Sequence, residues 1–360
     1  MKVKKEGSVR VDLVGGTLDL QPIALILKDV VTINMATGLK AKVEMETLLD
    51  NSFKIFSADY NKEYHYVESD FKEENLYHAG SLSSHFFQEM LFIILLCKSF
   101  DLTRGVKISL SSGAPTGSGL GGSSAMGITL VEAILAFTGK SMHRSSIVEH
   151  VRKIEELMLD RGVAGYQDYY PALYGGILSL TPGITEHKVE QCYTPELANF
   201  IEKNIVLVYS GQTRNSGINN WEVFKNFFDK KNEESAQNTR KGLMEIAKIA
   251  CQAYLAIKAK DYEKLLFLIA EEGKIRERLF PGIMTQEMKL VDEQCGRVLK
   301  NYKGLKVCGA GGGGCFIMVG TQVSDVEKIL TDNKMQILPL KIDPPLTPKN
   351  NCTISKEQSS

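Results

Sequence analysis

Polar and apolar residues alternate from Ser8 to Val14, the period-two signature of a strand, and the run stops at Gly15-Gly16. Arg10 and Asp12, two positions apart, share one face of that strand. Further alternating runs over 30–46 and 53–67 predict antiparallel sheet. Helical spacing of apolar residues predicts helices over 80–100, with serines at 81–84 offering the cap, and over 144–159. Ile205–Tyr209 reads as a buried strand. Leu243, Ile246, Ile249, Ala253 and Ile257 mark one helix of the second half, Tyr262–Leu279 a second and Thr285–Leu299 a third. The composition loosens at Thr181-Pro182-Gly183, so the chain divides near 185 into units 1–185 and 186–343. A Pro-, Ser- and Asn-rich tail over 344–360 is expected to be disordered.

Two stretches break these patterns. Pro115–Met126 reads P-T-G-S-G-L-G-G-S-S-A-M, with Gly117, Gly119, Gly121 and Gly122 among three serines. An alternating strand, Val106–Ser111, precedes it, and a helical run, Gly127–Phe137, follows. Strand, glycine loop and helix start form an arrangement that binds phosphate. The first helical N–H groups have no internal partner, and glycines let the backbone approach an anion. A turn capped by Ser123 or Ser124 would need one Ser and one Gly, not four glycines. No Lys-Ser/Thr pair follows, so this is not a Walker loop. The second stretch, Cys308–Cys315, holds five glycines in the six positions 309–314 between two strands, Leu305–Val307 and Phe316–Val319. A hairpin needs one or two. The excess implies backbone pressed against a ligand or against the first loop.

Composition narrows the function classes. Across 360 residues Lys+Arg and Asp+Glu are both 43, and basic residues are scattered. That removes the electrostatic case for nucleic acid or an anionic membrane surface. The seven cysteines are dispersed without a C-x-x-C, so they read as reduced thiols, and the six histidines lack metal-ligand spacing. No apolar run approaches a membrane span, and the polar start over residues 1–6 has no signal region, so a cytoplasmic protein is expected. Between glycines at 162 and 176, Asp168 lies among Tyr166, Tyr169 and Tyr170. An Asp in such a loop is either a helix cap or part of a small polar site.

Three ordered stretches resemble the motifs of the GHMP kinases, the superfamily of galactokinase, homoserine kinase, mevalonate kinase and phosphomevalonate kinase. They are Arg10–Asp19, Pro115–Ala125 and Cys308–Cys315. The resemblance implies a two-domain α+β fold with a cleft between the domains. It also implies ATP and Mg²⁺ as cofactors and phosphoryl transfer as the reaction. ATP phosphates would rest on Pro115, Gly117, Ser118, Gly119, Leu120, Gly121, Gly122, Ser123 and Ser124. Ser124 matches the metal-binding Ser. A Glu from the helix before Asp168 would complete the metal site: Glu155, with Glu156 as the alternative. Asp168 matches the catalytic Asp, and Arg10 the basic residue of the first motif.

Asp19 and the loop Gly165–Tyr169 are similar to the sugar kinases that phosphorylate the anomeric hydroxyl, including the heptose-phosphate branch. The substrate would then meet Asp19, Gly16, Thr17, Tyr169, Gly311 and Gly312, with Arg214 as the cation for a phosphorylated acceptor. Galactokinases carry Glu-His where Gly16-Thr17 stands, which argues against galactose. Mevalonate kinases usually carry Lys at position 10 and a Pro-Ser-Gly before the catalytic Asp, both absent, yet they share the Cys308–Cys315 type of loop. A mevalonate-like acceptor is therefore the alternative, and a non-catalytic ATP- and sugar-binding regulator a third. The expected partner is a small molecule, with a monomer or homodimer equally compatible.

Overall fold

A computed structural model describes residues 1–76, 87–158, 164–184, 186–212 and 220–347. Seven strands form the first sheet: β1 (Lys2–Val14), β2 (Thr32–Thr47), β3 (Phe53–Ser57), β4 (Lys62–Tyr66), β5 (Val106–Ser112), β6 (Ile177–Thr181) and β7 (Lys188–Gln191). Their order is β4-β3-β5-β2-β6-β7, with β1 paired to β2. All pairs are antiparallel except β3 with β5. β2 is the long central strand, pairing β6 through residues 32–35 and β5 through residues 41–47. The second sheet is antiparallel, in the order β11-β8-β10-β9. It comprises β8 (Ile205–Tyr209), β9 (Gly304–Val307), β10 (Cys315–Val319) and β11 (Gln336–Leu338). β7 still belongs to the first sheet, so the sheets separate after Gln191, a few residues beyond the division expected at 185.

The helices pack as the apolar patterns require. In the first half are two short pieces, α1 (Ile23–Ile26) and α2 (Glu73–Leu76), then α3 (Leu91–Lys98), α4 (Gly122–Thr138), α5 (Arg144–Met158) and α6 (Tyr170–Tyr174). The helix expected over 80–100 is shorter, and residues 77–86, with the serines proposed to cap it, lie outside the described residues. The second half holds α7 (Pro195–Asn204), α8 (Asn220–Phe227), α9 (Glu233–Lys258), α10 (Tyr262–Leu279), α11 (Gln286–Val298) and α12 (Val323–Asp332). None of the described helices is long and apolar enough to cross a membrane.

What positions the site is β1. From Gly7 to Val14 every residue is buried, not alternate ones, because α4 and α6 pack against β1 while α9 and α10 of the second half also reach it. Its charged residues Arg10 and Asp12 therefore face protein rather than water. Glycines permit the close layers: a Cβ on Gly7 would stand 2.2 Å from Thr129 Oγ1 of α4, and one on Gly127 would stand 2.7 Å from Phe92 and Val151. The tail is tied down at its start, where Leu346 N donates to Tyr174 O at 2.8 Å and Ile342 bridges to Thr37. Disorder was expected from 344; residues 344–347 are placed by these contacts, and 348–360 lie outside the described residues.

Candidate active site

The two glycine loops lie against each other. Cys315 N donates to Ser118 O at 2.7 Å. A Cβ on Gly314 would stand 2.7 Å from Ser118 O, and one on Gly309 the same distance from Gly119 O. The glycine excess in 309–314 thus serves contact with the first loop. Gly311 and Gly312, expected beside the substrate, face the turn at Ile283 instead: a Cβ on Gly311 would stand 2.3 Å from Ile283 O, and Gly312 N donates to the same oxygen at 3.0 Å.

In the first loop Gly117, Gly119 and Gly121 hold φ of 71°, 75° and 70°, the left-handed region that costs glycine little. Gly121 occupies the cap position of α4 and offers no side chain, so no serine acts as a cap. The start of α4 therefore has no side-chain cap, a setting that suits an anion. Both serines turn instead to one carboxylate of α5. Ser123 Oγ donates to Glu155 Oε1 at 2.6 Å and Ser124 Oγ to Glu155 Oε2 at 2.8 Å. Glu156 is held elsewhere, by Arg152 and the Ala164 N–H. Burial raises the Glu155 pKa, against the bonds from Ser123, Ser124 and Tyr169. Tyr169, expected to touch substrate, is buried with its hydroxyl against Glu155 and Ser124; burial beside that carboxylate pushes its pKa well up. Ser124 and Glu155 give a hard oxygen set of the type Mg²⁺ takes.

Arg10 joins the pieces. Its Nε donates to Asp168 Oδ1 at 2.7 Å, its NH1 to Gly119 O at 2.6 Å and to Cys308 O at 3.0 Å, and its backbone N to Leu120 O at 2.9 Å. One side chain therefore touches both loops and the acidic residue. Burial opposes its charge, and the carboxylates of Asp168 and Asp12 outweigh that, so its pKa stays raised. Asp168 caps nothing: the cap position of α6 is Tyr169. With Oδ1 committed to Arg10, Asp168 Oδ2 faces Gly121, 3.3 Å from where a Cβ would stand. The Asp168 side chain is 29% exposed, so Oδ2 can meet a ligand.

Asp19 is also brought here. Its Oδ2 accepts from Gln167 N at 2.9 Å, which couples the first motif to the loop carrying Asp168. Burial raises the Asp19 carboxyl to about 6 against the pull of that N–H, with Asp168 and Asp12 adding to the rise. Gly16 packs on Asp12 and Gln167: a Cβ there would stand 2.2 Å from Asp12 Oδ2. Thr17 is buried with φ of 78°, a strained setting for a β-branched residue and one typical of functional turns. Arg214 lies outside the described residues.

Sequence reasoning missed Glu272, Arg276 and Lys306. Arg276 NH1 donates to Val307 O at 2.9 Å and NH2 to Gly309 O at 2.8 Å, bracketing the carbonyl that Arg10 uses. The signal was present in α10. Its buried stripe through Leu265, Leu268 and Ile269 carries Glu272 and Arg276 in the same phase.

A family model described as the GHMP kinases N terminal domain matches residues 86–176, the span from before α3 through the glycine loop and Asp168. Residues 86–176 thus form a GHMP kinase N-terminal domain. Among curated relatives, a bifunctional fucokinase/GDP-fucose pyrophosphorylase of Arabidopsis thaliana is 25% identical over 334 residues, covering 91% of this chain and 30% of that protein. Mevalonate kinase of Pyrococcus abyssi is 25% identical over 225 residues, 62% of each. The chain thus spans less than two thirds of the length of these relatives. Among solved structures, a D-glycero-D-manno-heptose 1-phosphate kinase of Bacteroides thetaiotaomicron superposes with a TM-score of 0.68 at 18% identity, covering 96% of this chain and 97% of that one. The α+β architecture described above is the GHMP kinase fold.

Proposed function

We propose that this GHMP kinase family member transfers the γ-phosphoryl group of ATP to the anomeric hydroxyl of a sugar or sugar phosphate, such as a heptose 7-phosphate. The observation that carries it is the Arg10–Asp168 pair at the glycine loop, with Ser124 and Glu155 on the loop's other flank. The loop 117–124 and the start of α4 hold the phosphates through backbone N–H groups. Ser124 and Glu155 would hold Mg²⁺, which would shield phosphate charge when bound. Asp168 Oδ2 takes the acceptor's proton as the acceptor oxygen bonds to phosphorus and the bond from phosphorus to the leaving diphosphate oxygen breaks. Arg10 orients the Asp168 carboxylate through its Nε–H and stands near charge that builds on the transferring group.

Asp19, with Gly16 and Thr17, supports a sugar acceptor: its buried carboxylate sits one residue from Asp168 through the Gln167 N–H. A fucokinase module among the relatives agrees with this. Mevalonate kinases among the relatives keep a non-sugar alcohol as the second reading. The dispersed cysteines, free among the described residues, support a cytoplasmic setting. An ATP-consumption screen of the purified protein across hexoses, heptose phosphates and mevalonate decides the acceptor class. Turnover with a sugar supports the proposal, and turnover with mevalonate alone overturns the sugar reading. Silence on every acceptor, with ATP still bound, favours a regulator.

A further inference from the structure

Four charged residues meet in the interior between the two halves: Asp12 of β1, Glu272 and Arg276 of α10, and Lys306 of β9. All four are at most 3% exposed. Lys306 Nζ lies 2.7 Å from Asp12 Oδ2, 3.2 Å from the Asp12 carbonyl O and 3.1 Å from Glu272 Oε2. Arg276 NH1 lies 3.5 Å from the same Asp12 oxygen. Gly273 lets α10 come this close to β9, since a Cβ there would stand 2.6 Å from Leu305 O. Two acids and two bases balance, so the cluster is neutral as a set.

Such a cluster is poor economy for stability. Buried charges lose their hydration, and well-packed apolar residues often serve as well or better. Asp12 Oδ1 and Arg276 Nε are buried without a hydrogen-bond partner, which adds to the cost. What the cluster does supply is register. Asp12 follows Arg10 by two residues on β1, and Lys306 of β9 precedes Cys308 by two. Pinning Asp12 to Lys306 therefore fixes the Arg10 guanidinium beneath the Cys308 carbonyl, 3.0 Å away. Arg276 fixes the carbonyls on either side, at Val307 and Gly309.

We propose that Lys306, with Glu272, is a positioning residue that acts through Asp12 to hold Arg10 against Asp168. It touches no substrate. Its effect on rate rests on the kinase reading; its effect on Arg10 does not. Lys306→Met alone removes the cation that Glu272 and Asp12 share, leaves Asp12 only the longer contact to Arg276, and is expected to fold poorly. The pair Lys306→Met with Glu272→Gln removes one charge of each sign, fills the same volume and leaves Asp12 with Arg276.

The test compares this double variant with Arg278→Met, a substitution at an exposed arginine of the same helix. Two readouts are taken on the full chain: steady-state kinetics with the acceptor found by the screen, and the NMR signal of the Arg10 Nε–H. The double variant is expected to keep its thermal midpoint within a few degrees, to lose tenfold or more in kcat with KM for ATP little changed, and to shift or broaden the Arg10 signal. Arg278→Met changes neither readout. A folded double variant with parental kcat and an unmoved Arg10 signal overturns the proposal. Absence of turnover in the parent defeats the kinase reading instead, and the Arg10 signal then decides the positioning role by itself.

Discussion

Replacing Gly309 with Ala tests the contact between the two glycine loops in isolation. Gly309 is not among the positive-φ glycines, so an added methyl meets no backbone strain, only neighbours. Its Cβ would stand 2.7 Å from Gly119 O, 3.0 Å from Gly119 Cα and 3.3 Å from Gly119 C. These are backbone atoms of a loop bonded on both sides, so they yield only if the loop moves. Overpacking of this kind costs about 1–3 kcal/mol. Restricting the unfolded chain returns about 0.4–1 kcal/mol. The net loss is about 1–2 kcal/mol, read by urea or thermal unfolding. The kinetic effect follows from Gly119 O, which accepts from Arg10 NH1 at 2.6 Å. Moving that oxygen shifts both the phosphate loop and Arg10, and each ~1.4 kcal/mol lost at the transition state is tenfold in rate. A fall of roughly tenfold or more in kcat/KM for ATP is expected. Gly282→Ala is the control. Gly282 has φ of 93° and open space around its Cβ. It should lose about 1–2 kcal/mol from backbone strain alone and keep its kinetics. Parental stability and kinetics in Gly309→Ala, or an equal kinetic loss in Gly282→Ala, would refute the reasoning.

Three further outcomes are expected. Asp19→Asn should change how stability depends on pH. The folded pKa of about 6 exceeds the ordinary 3.8, so the parent's stabilising proton is held below pH 3.8 and lost as pH rises through 6. That difference of about 2 units is worth roughly 3 kcal/mol, so the parent should lose that much relative to Asp19→Asn between pH 4 and 7; parallel unfolding curves would contradict it. Glu155→Gln should raise the Mg²⁺ requirement by roughly 10–100-fold, read by titrating activity with metal, while Glu156→Gln leaves it unchanged; the reverse order would move the metal ligand to Glu156. Because burial raises the Glu155 pKa, Mg²⁺ dependence in the parent should sharpen toward acid pH, and this sharpening should vanish in Glu155→Gln.

Much of the fold was legible where a pattern is local. The span Tyr262–Leu279 is α10 to the residue, and β8 coincides with Ile205–Tyr209, because apolar phase and flanking breaks are written in consecutive residues. The loops 117–124 and 309–314 were legible because glycine density has few uses, and the structure decided between ligand and loop as the partner of the second. What stayed illegible depends on contacts between residues that are not neighbours in sequence. The expectation that Arg10 and Asp12 lie on one face of a strand did not reveal that β1 is buried on both faces. Glu272 and Arg276 share the buried phase of α10, but nothing in that phase, nor in the four residues of β9, shows that they meet Lys306 and Asp12 between the halves. Tyr169 stood in a loop rich in hydroxyls, and nothing in its neighbours marked it for Glu155 rather than for substrate.

The most direct measurement is turnover and ATP binding in Asp168→Asn. Arg10 remains to hold the loops through Gly119 O and Cys308 O, so ATP affinity by calorimetry should be essentially that of the parent. Loss of the proton acceptor should lower kcat by roughly 10²–10⁴-fold. An Asp168→Asn protein that turns over at the parental rate would contradict the account.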